Sequence, residues 1–361
     1  MSLYRRDFVK LGLAAAAMPA FLRQASAAGF APQPSDWRGY ALTTWVQLPQ
    51  GGPAQIWLPV PEAQGDYQRV LGSTISGNAT EAEIVTDPTS GAQMLYARFD
   101  AGAAPDLTIE TRVDTRNRVV DWNAPAPAPE DPAVLKAALA PSSFKPLDGP
   151  VAELAAQITA GASTDKEKVT AIYAWIVANC HRNMDVPGCG PGDIVATLAA
   201  DGRGGKCADL NGLFVGLARA SGVPARDIYG VRVAPSAFGY KQLGANKPDV
   251  TGAQHCRAEV YLAEHGWVAM DPADVLKVMR AETDQWIKDP ADPLVAPVNA
   301  ALMGNWEGNW VAYNTASDVR LPGADAAALP FLMYPQGLDA RGRLNELDAK
   351  AFTYQITAAV L

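Results

Sequence analysis

Apolar and polar positions alternate with period two along residues 107–113, Leu-Thr-Ile-Glu-Thr-Arg-Val, the pattern of a half-buried strand. Residues 55–58, 84–85 and 94–96 are shorter apolar runs of the same kind, and Asp87-Pro88-Thr89-Ser90-Gly91 supplies turn chemistry between two of them. Short strands at this spacing predict a β-rich unit over 28–122, built as a sandwich. Pro125, Pro127, Pro129 and Pro132 then punctuate an Ala-rich stretch, so 123–150 reads as a linker. Beyond it the period changes to that of a helix. Thr164 and Glu167 form a capping box ahead of Val169, Ile172, Tyr173, Ile176 and Val177. A second helix follows the glycine-rich loop 202–205. Its stripe is Leu210, Leu213, Phe214 and Leu217, and Gly222 with Pro224 ends it. Strands are expected at 228–233, 255–262 and 267–271. Helices followed by antiparallel strands make this unit, 151–290, α+β. Residues 291–361 are mixed in pattern and are expected to form an extension docked on it.

The first 27 residues have a different layout. Arg5-Arg6-Asp7-Phe8-Val9-Lys10 is a twin-arginine pattern, an uncharged Ala-rich stretch runs to Leu22, and Ala25-Ser26-Ala27 is a small-x-small cleavage site. The stretch is too short for a transmembrane helix and is interrupted by Pro19. Residues 1–27 are therefore expected to be a removed export signal, which places the protein in the periplasm or outside the cell. No later apolar run is long enough to span a bilayer. The 361-residue chain is 48% hydrophobic and 19% charged, which excludes a wholly disordered chain. A net charge of -8 argues against nucleic acid as a partner. Four cysteines are too few for a disulfide scaffold of this size.

Cys207 falls at the start of the second helix, where unpaired N–H groups and the helix dipole favour thiolate over thiol. A thiolate nucleophile needs a base, and the base needs an orienting acceptor. His255 opens one strand and Asp271 closes the next. With a three-residue loop at 263–265, Leu262 faces Gly266 and Asp271 falls diagonally from His255. A four-residue loop would turn Asp271 to the other face. Cys256 lies on the opposite strand face and is expected in the core. Cys180 and Cys189 are candidates for a disulfide in an oxidising compartment, and with His181 they make a weak zinc pattern lacking a second nearby histidine. Asp209 and Asn211 read as caps or loop anchors. The Trp306–Trp310 segment reads as a docking surface of the tail, with sugar stacking as the other account.

These segments resemble the transglutaminase-like superfamily. Gly205-Lys206-Cys207, the helix after it and Gly222-Val223-Pro224-Ala225-Arg226 are similar to its nucleophile segment. His255-Cys256-Arg257-Ala258-Glu259-Val260-Tyr261 is similar to its histidine strand, and Gly266-Trp267-Val268-Ala269-Met270-Asp271-Pro272 to its aspartate strand. The resemblance, over 166–274, implies a papain-like α+β core preceded by a β-rich domain. It also implies Cys207 as nucleophile, His255 as base and Asp271 as orienter. Arg257 departs from the family's usual aromatic residue two after the histidine, and a changed cleft wall is expected from it. The implied chemistry is thiol-dependent acyl transfer or amide hydrolysis on a protein or peptide, with no cofactor. A catalytically inactive exported protein- or glycan-binding module on the same fold is the competing reading.

Overall fold

A computed structural model describes residues 29–62 and 65–361 of the chain; the expected export signal lies outside the described residues. Four of the N-terminal strands come from the alternating pattern: Ala54–Pro59, Glu81–Thr86, Gln93–Phe99 and Asp106–Thr115. They belong to two antiparallel sheets. One has the order Thr353–Val360, Arg38–Gln47, Asp106–Thr115, Gln68–Gly77. The other has the order Gly342–Arg343, Gln336–Asp339, Ala54–Pro59, Gln93–Phe99, Glu81–Thr86. Val46, Leu107 and Ile109 of the first share one apolar cluster with Ile56, Leu58, Leu95 and Phe99 of the second. That shared interior makes the pair a sandwich. Gln68–Gly77 carries no apolar alternation because it is a largely exposed edge strand with a bulge between Val70 and Gly72.

The second half is built on a six-stranded antiparallel sheet. Its order is Trp310–Asn314, Ala225–Arg232, Gln254–Leu262, Gly266–Met270, Met303–Trp306, Arg118–Val119. Helices Asp165–Asn179 and Cys207–Ala220 pack on this sheet, and helix Gly149–Thr159 packs on both of them. Mixed helices and antiparallel sheets, with a β-rich N-terminal region, define an α+β fold. The capping box forms: Thr164 Oγ1 accepts from Glu167 N at 3.2 Å, and Glu167 Oε2 accepts from Thr164 N at 3.0 Å. Such a cap contributes about 1 kcal/mol. Residues 207–218 are buried all round the second helix, so it runs through the middle of the unit rather than along its surface.

Residues 291–361 are shared between the two halves. Met303–Trp306 and Trp310–Asn314 extend the six-stranded sheet, whereas Gln336–Asp339 and Thr353–Val360 join the sandwich. The Pro/Ala-rich stretch holds one short helix, Pro132–Ala137, capped by Asp131. Each pairing joins residues far apart in sequence, and a local pattern carries no information about its partner.

Candidate active site

The cysteine at the head of the central helix is positioned by its neighbours' backbone. Asp209 Oδ2 accepts from Lys206 N and Asp209 Oδ1 from Gly192 N, both at 2.9 Å, while Ala208 N donates to Cys189 O. Loop 189–192 is thereby clamped against the first helical turn. The clamp requires glycine at position 190, where φ is +86° and a Cβ would stand 1.9 Å from the Asp209 carboxylate. Asp209 is thus a loop anchor, as its position in the sequence suggested.

The hairpin takes the three-residue loop: Leu262 pairs with Gly266 and Ala258 with Met270. The strand ends at Met270, and Asp271 becomes the N-cap of helix Pro272–Ala281, with Pro272 in its first turn. Asp271 Oδ1 accepts from Asp274 N at 3.1 Å, and its other oxygen accepts from His255 Nε2 at 2.7 Å. The histidine is anchored from behind as well. Trp310 Nε1 donates to His255 O at 3.0 Å, and Gly230, paired with His255, leaves room for the tryptophan ring. A Cβ at 230 would stand 2.5 Å from that ring.

Asn211 is the residue whose part sequence reasoning missed. Its Nδ2 donates to Asp271 Oδ1 at 3.0 Å and to Cys256 O at 2.9 Å, and its Oδ1 accepts from Ala273 N. One side chain ties the cysteine helix to both following segments. The available signal was its spacing, one helical turn after Cys207 on the same face. Asp274 and Arg232 form a further layer. Asp274 Oδ1 lies 3.4 Å from His255 Nε2, and Arg232 Nη2 donates to both Asp274 oxygens at 2.6 and 2.7 Å. No sequence spacing points to Arg232, which reaches Asp274 only through the sheet.

These groups set the site's electrostatics. Burial alone would lower the His255 pKa, but Asp274 and Asp271 outweigh it and raise the imidazole above its usual value. Cys207 is shifted the other way. Hydrogen bonds from Cys189 and Cys256, then contact with His255, overcome burial and hold its thiol well below the ordinary range. Because Nε2 is engaged by Asp271, Nδ1 is the nitrogen left for the sulfur. The shared contact with Cys207 pushes Cys189 up, and burial pushes Cys256 up, so Cys207 is the acidic member of the three.

Several expectations are corrected by the packing. Cys180 and Cys189 are free thiols, because Cys180 ends a helix while Cys189 is carried by the clamped loop to Cys207. His181, of the weak zinc pattern, donates from Nδ1 to Gly202 O at 2.9 Å. Arg257 is no cleft wall: it is 2% exposed, held between Trp306 and Trp310, with Nη1 donating to Glu307 O. Trp306 and Trp310 are each 1% exposed and therefore dock the tail rather than offer a stacking surface.

A cleft of about 560 Å³ opens onto Cys207 and His255, with Cys189, Gln254, Tyr334 and Phe352 among its walls. Elsewhere, no helix among the described residues is long and apolar enough to cross a membrane.

Known proteins resemble this chain in sequence and in fold. The sequence profile of the transglutaminase-like superfamily matches residues 152–272. An uncharacterized protein of Haemophilus influenzae is 34% identical over 333 residues, covering 87% of this chain and 89% of its own. The crystal structure of a Cytophaga hutchinsonii protein named as a candidate cysteine protease superposes with a TM-score of 0.55 at 17% identity, covering 91% of this chain and 92% of that one. The periplasmic domain of TgpA from Pseudomonas aeruginosa gives a TM-score of 0.38 at 17% identity, covering 68% and 91%. Residues 152–272 belong to the transglutaminase-like superfamily.

Proposed function

We propose that this protein is a thiol-dependent amide hydrolase acting on protein or peptide substrates outside the cytoplasm. The observation that carries the reading is the line Cys207–His255–Asp271, with His255 held by Asp271 through Nε2 and in contact with an acidified Cys207 at the mouth of a cleft. Cys207 thiolate attacks the substrate carbonyl, and a C–S bond forms. The Cys207 N–H, first in its helix, supports the developing oxyanion. His255 imidazolium gives its proton to the leaving amine as the C–N bond breaks, leaving a thioester. Water then attacks, His255 takes its proton, and the acid departs with the thiol restored. Asp271 keeps the imidazole in the required tautomer, and Asn211 and Asp274 hold Asp271 and His255 in place.

Hydrolysis is favoured over transfer to an amine by the charge of the cleft. A protonated amine acceptor would have to approach past Arg182, Lys206, Lys241 and Lys277, all of which line it. Neutral water meets no such barrier.

The test is alkylation of the folded protein with limiting iodoacetamide near neutral pH, mapped by mass spectrometry. Cys207 is expected to react first. Labelling at Cys180, Cys189 or Cys256 with Cys207 untouched would overturn the assignment. Export is tested separately: replacing Arg5 and Arg6 by lysine is expected to leave unprocessed protein in the cytoplasm, and normal processing would exclude the twin-arginine route.

A further inference from the structure

The chain carries a net charge of -8, yet the walls of the cleft at Cys207 are basic. Arg182, Lys206, Arg232, Lys241 and Lys277 line it against a single acid, Glu346. Arg232 is already neutralised by Asp274, and Glu346 lies 3.7 Å from Arg343. Among the described residues, the other four cations have no carboxylate within salt-bridge distance.

Their placement is built into the fold. His181–Arg182 pairs in parallel with Gly204–Gly205, setting Arg182 opposite Gly205, two residues before Cys207. Lys206 immediately precedes the cysteine. Lys277 stands in the second turn of the helix that Asp271 caps. Lys241 comes from the loop on another wall. Bringing the first three together is unfavourable: burial and then Arg182 lower Lys206 against the pull of Cys189, Cys207 and Asp185, while burial, Arg232 and Arg182 outweigh Asp274 and Cys207 and lower Lys277 to about 8. Two buried donors in the walls also lack partners, Arg182 Nε and Gln254 Nε2. Unpaired buried donors and mutually repelling cations are costly unless an anion completes them.

We propose that the cleft recognises a carboxylate carried by the substrate close to the scissile amide, bound by Arg182, Lys206 and Lys277 with Lys241 drawing it in. The proposal rests on the hydrolase reading for its scissile bond, but the anion site stands on its own residues. The carboxylate belongs to an acidic side chain or to a free C-terminus, since both present the same planar pair of acceptor oxygens to a guanidinium.

Two measurements test it. The first compares alkylation of Cys207 by iodoacetate and by iodoacetamide, which share a leaving group and differ in charge. The iodoacetate-to-iodoacetamide rate ratio is expected to exceed that of a free thiol about tenfold, and to fall about that much in Arg182→Gln and Lys277→Gln. Lys241→Gln, at an exposed position, should lower the ratio less without touching the fold. If both reagents slow equally in these variants, the cations serve only to stabilise the thiolate and the proposal fails. If neither reagent labels Cys207, the hydrolase reading fails instead.

The second measurement is independent of the thiol. The Cys207→Ala protein is titrated calorimetrically with three acetylated tripeptides: one with a central glutamate and an amidated end, its glutamine counterpart, and the glutamine peptide with a free carboxylate end. One acidic peptide should bind at least about tenfold tighter than the neutral one, and which one does so identifies the source of the carboxylate. Equal binding of all three overturns the anion site.

Discussion

The two ends of strand Gln254–Leu262 are both buried and both carry networks of ionisable groups, but they do opposite things. At the far end, Glu259 lies between Arg118 and Arg226, hydrogen-bonded to both. Arg226 stacks on Trp267 at 3.9 Å, and Arg118 also donates to Trp267 O at 2.7 Å. Burial would raise Glu259, but the two guanidiniums hold it below the usual carboxylate range. At the near end, His255, Asp271, Asp274 and Arg232 form a comparable chain of partners, but its first member also meets the Cys207 thiol and a cleft. Between them, Arg257 is sealed by two tryptophans, and burial with Arg232 lowers it to about 10. Burial of charge therefore does not mark a site in this protein. What marks it is a buried network left open on one side, with a titratable sulfur at the opening.

The largest effects should separate the two ends. Cys207→Ala and His255→Ala are each expected to lower turnover of a proven substrate by about 10⁴-fold or more with folding retained. Full activity in Cys207→Ala would return the protein to the binding-module reading. At the other end, Glu259→Gln takes the carboxylate away from the buried Arg118, leaving it only the more distant Asp66, and from the half-buried Arg226, and should destabilise the fold by about 3 kcal/mol at pH 7, read from chemical denaturation. The sign of the pH dependence follows from the lowered pKa. Stability from ionised Glu259 is present above its unfolded value, about 4.3, and is lost as pH falls through the lower folded value. The gap between variant and parent should therefore close in acid; a gap that widened there would refute the ion-pair account.

Asp271→Asn should act at the near end alone, lowering kcat about 10–10³-fold, or roughly 1.4–4 kcal/mol of barrier. An unchanged kcat would shift the orienting role to Asp274, 3.4 Å from the same nitrogen. Asn211→Ala is the smallest probe. It removes three hydrogen bonds around Asp271 and should cost about 1–3 kcal/mol of stability. As a positioning residue it should also broaden the pH profile of Cys207 alkylation; a stability loss with an unaltered profile would make it purely structural.

Local chemistry determined much of this protein. The alternation at 107–113, the Thr164 capping box, the glycine and proline ending the second helix, and Cys207 at its start are properties of neighbours in sequence, and each formed as its pattern dictates. The three-residue hairpin loop carries the chain back beside His255, because strand direction depends on register, and the N-cap at Asp271 then turns its carboxylate to the imidazole. The structure alone decided the rest. Thr353–Val360 joins Arg38–Gln47 across most of the chain, Arg232 reaches Asp274 through the sheet, and Cys189 meets Cys207 rather than Cys180. The basic cleft is assembled from a two-residue strand, a helix start, a loop and a later helix. None of these meetings leaves a local signature, because charge and packing act through space between residues that the sequence keeps far apart.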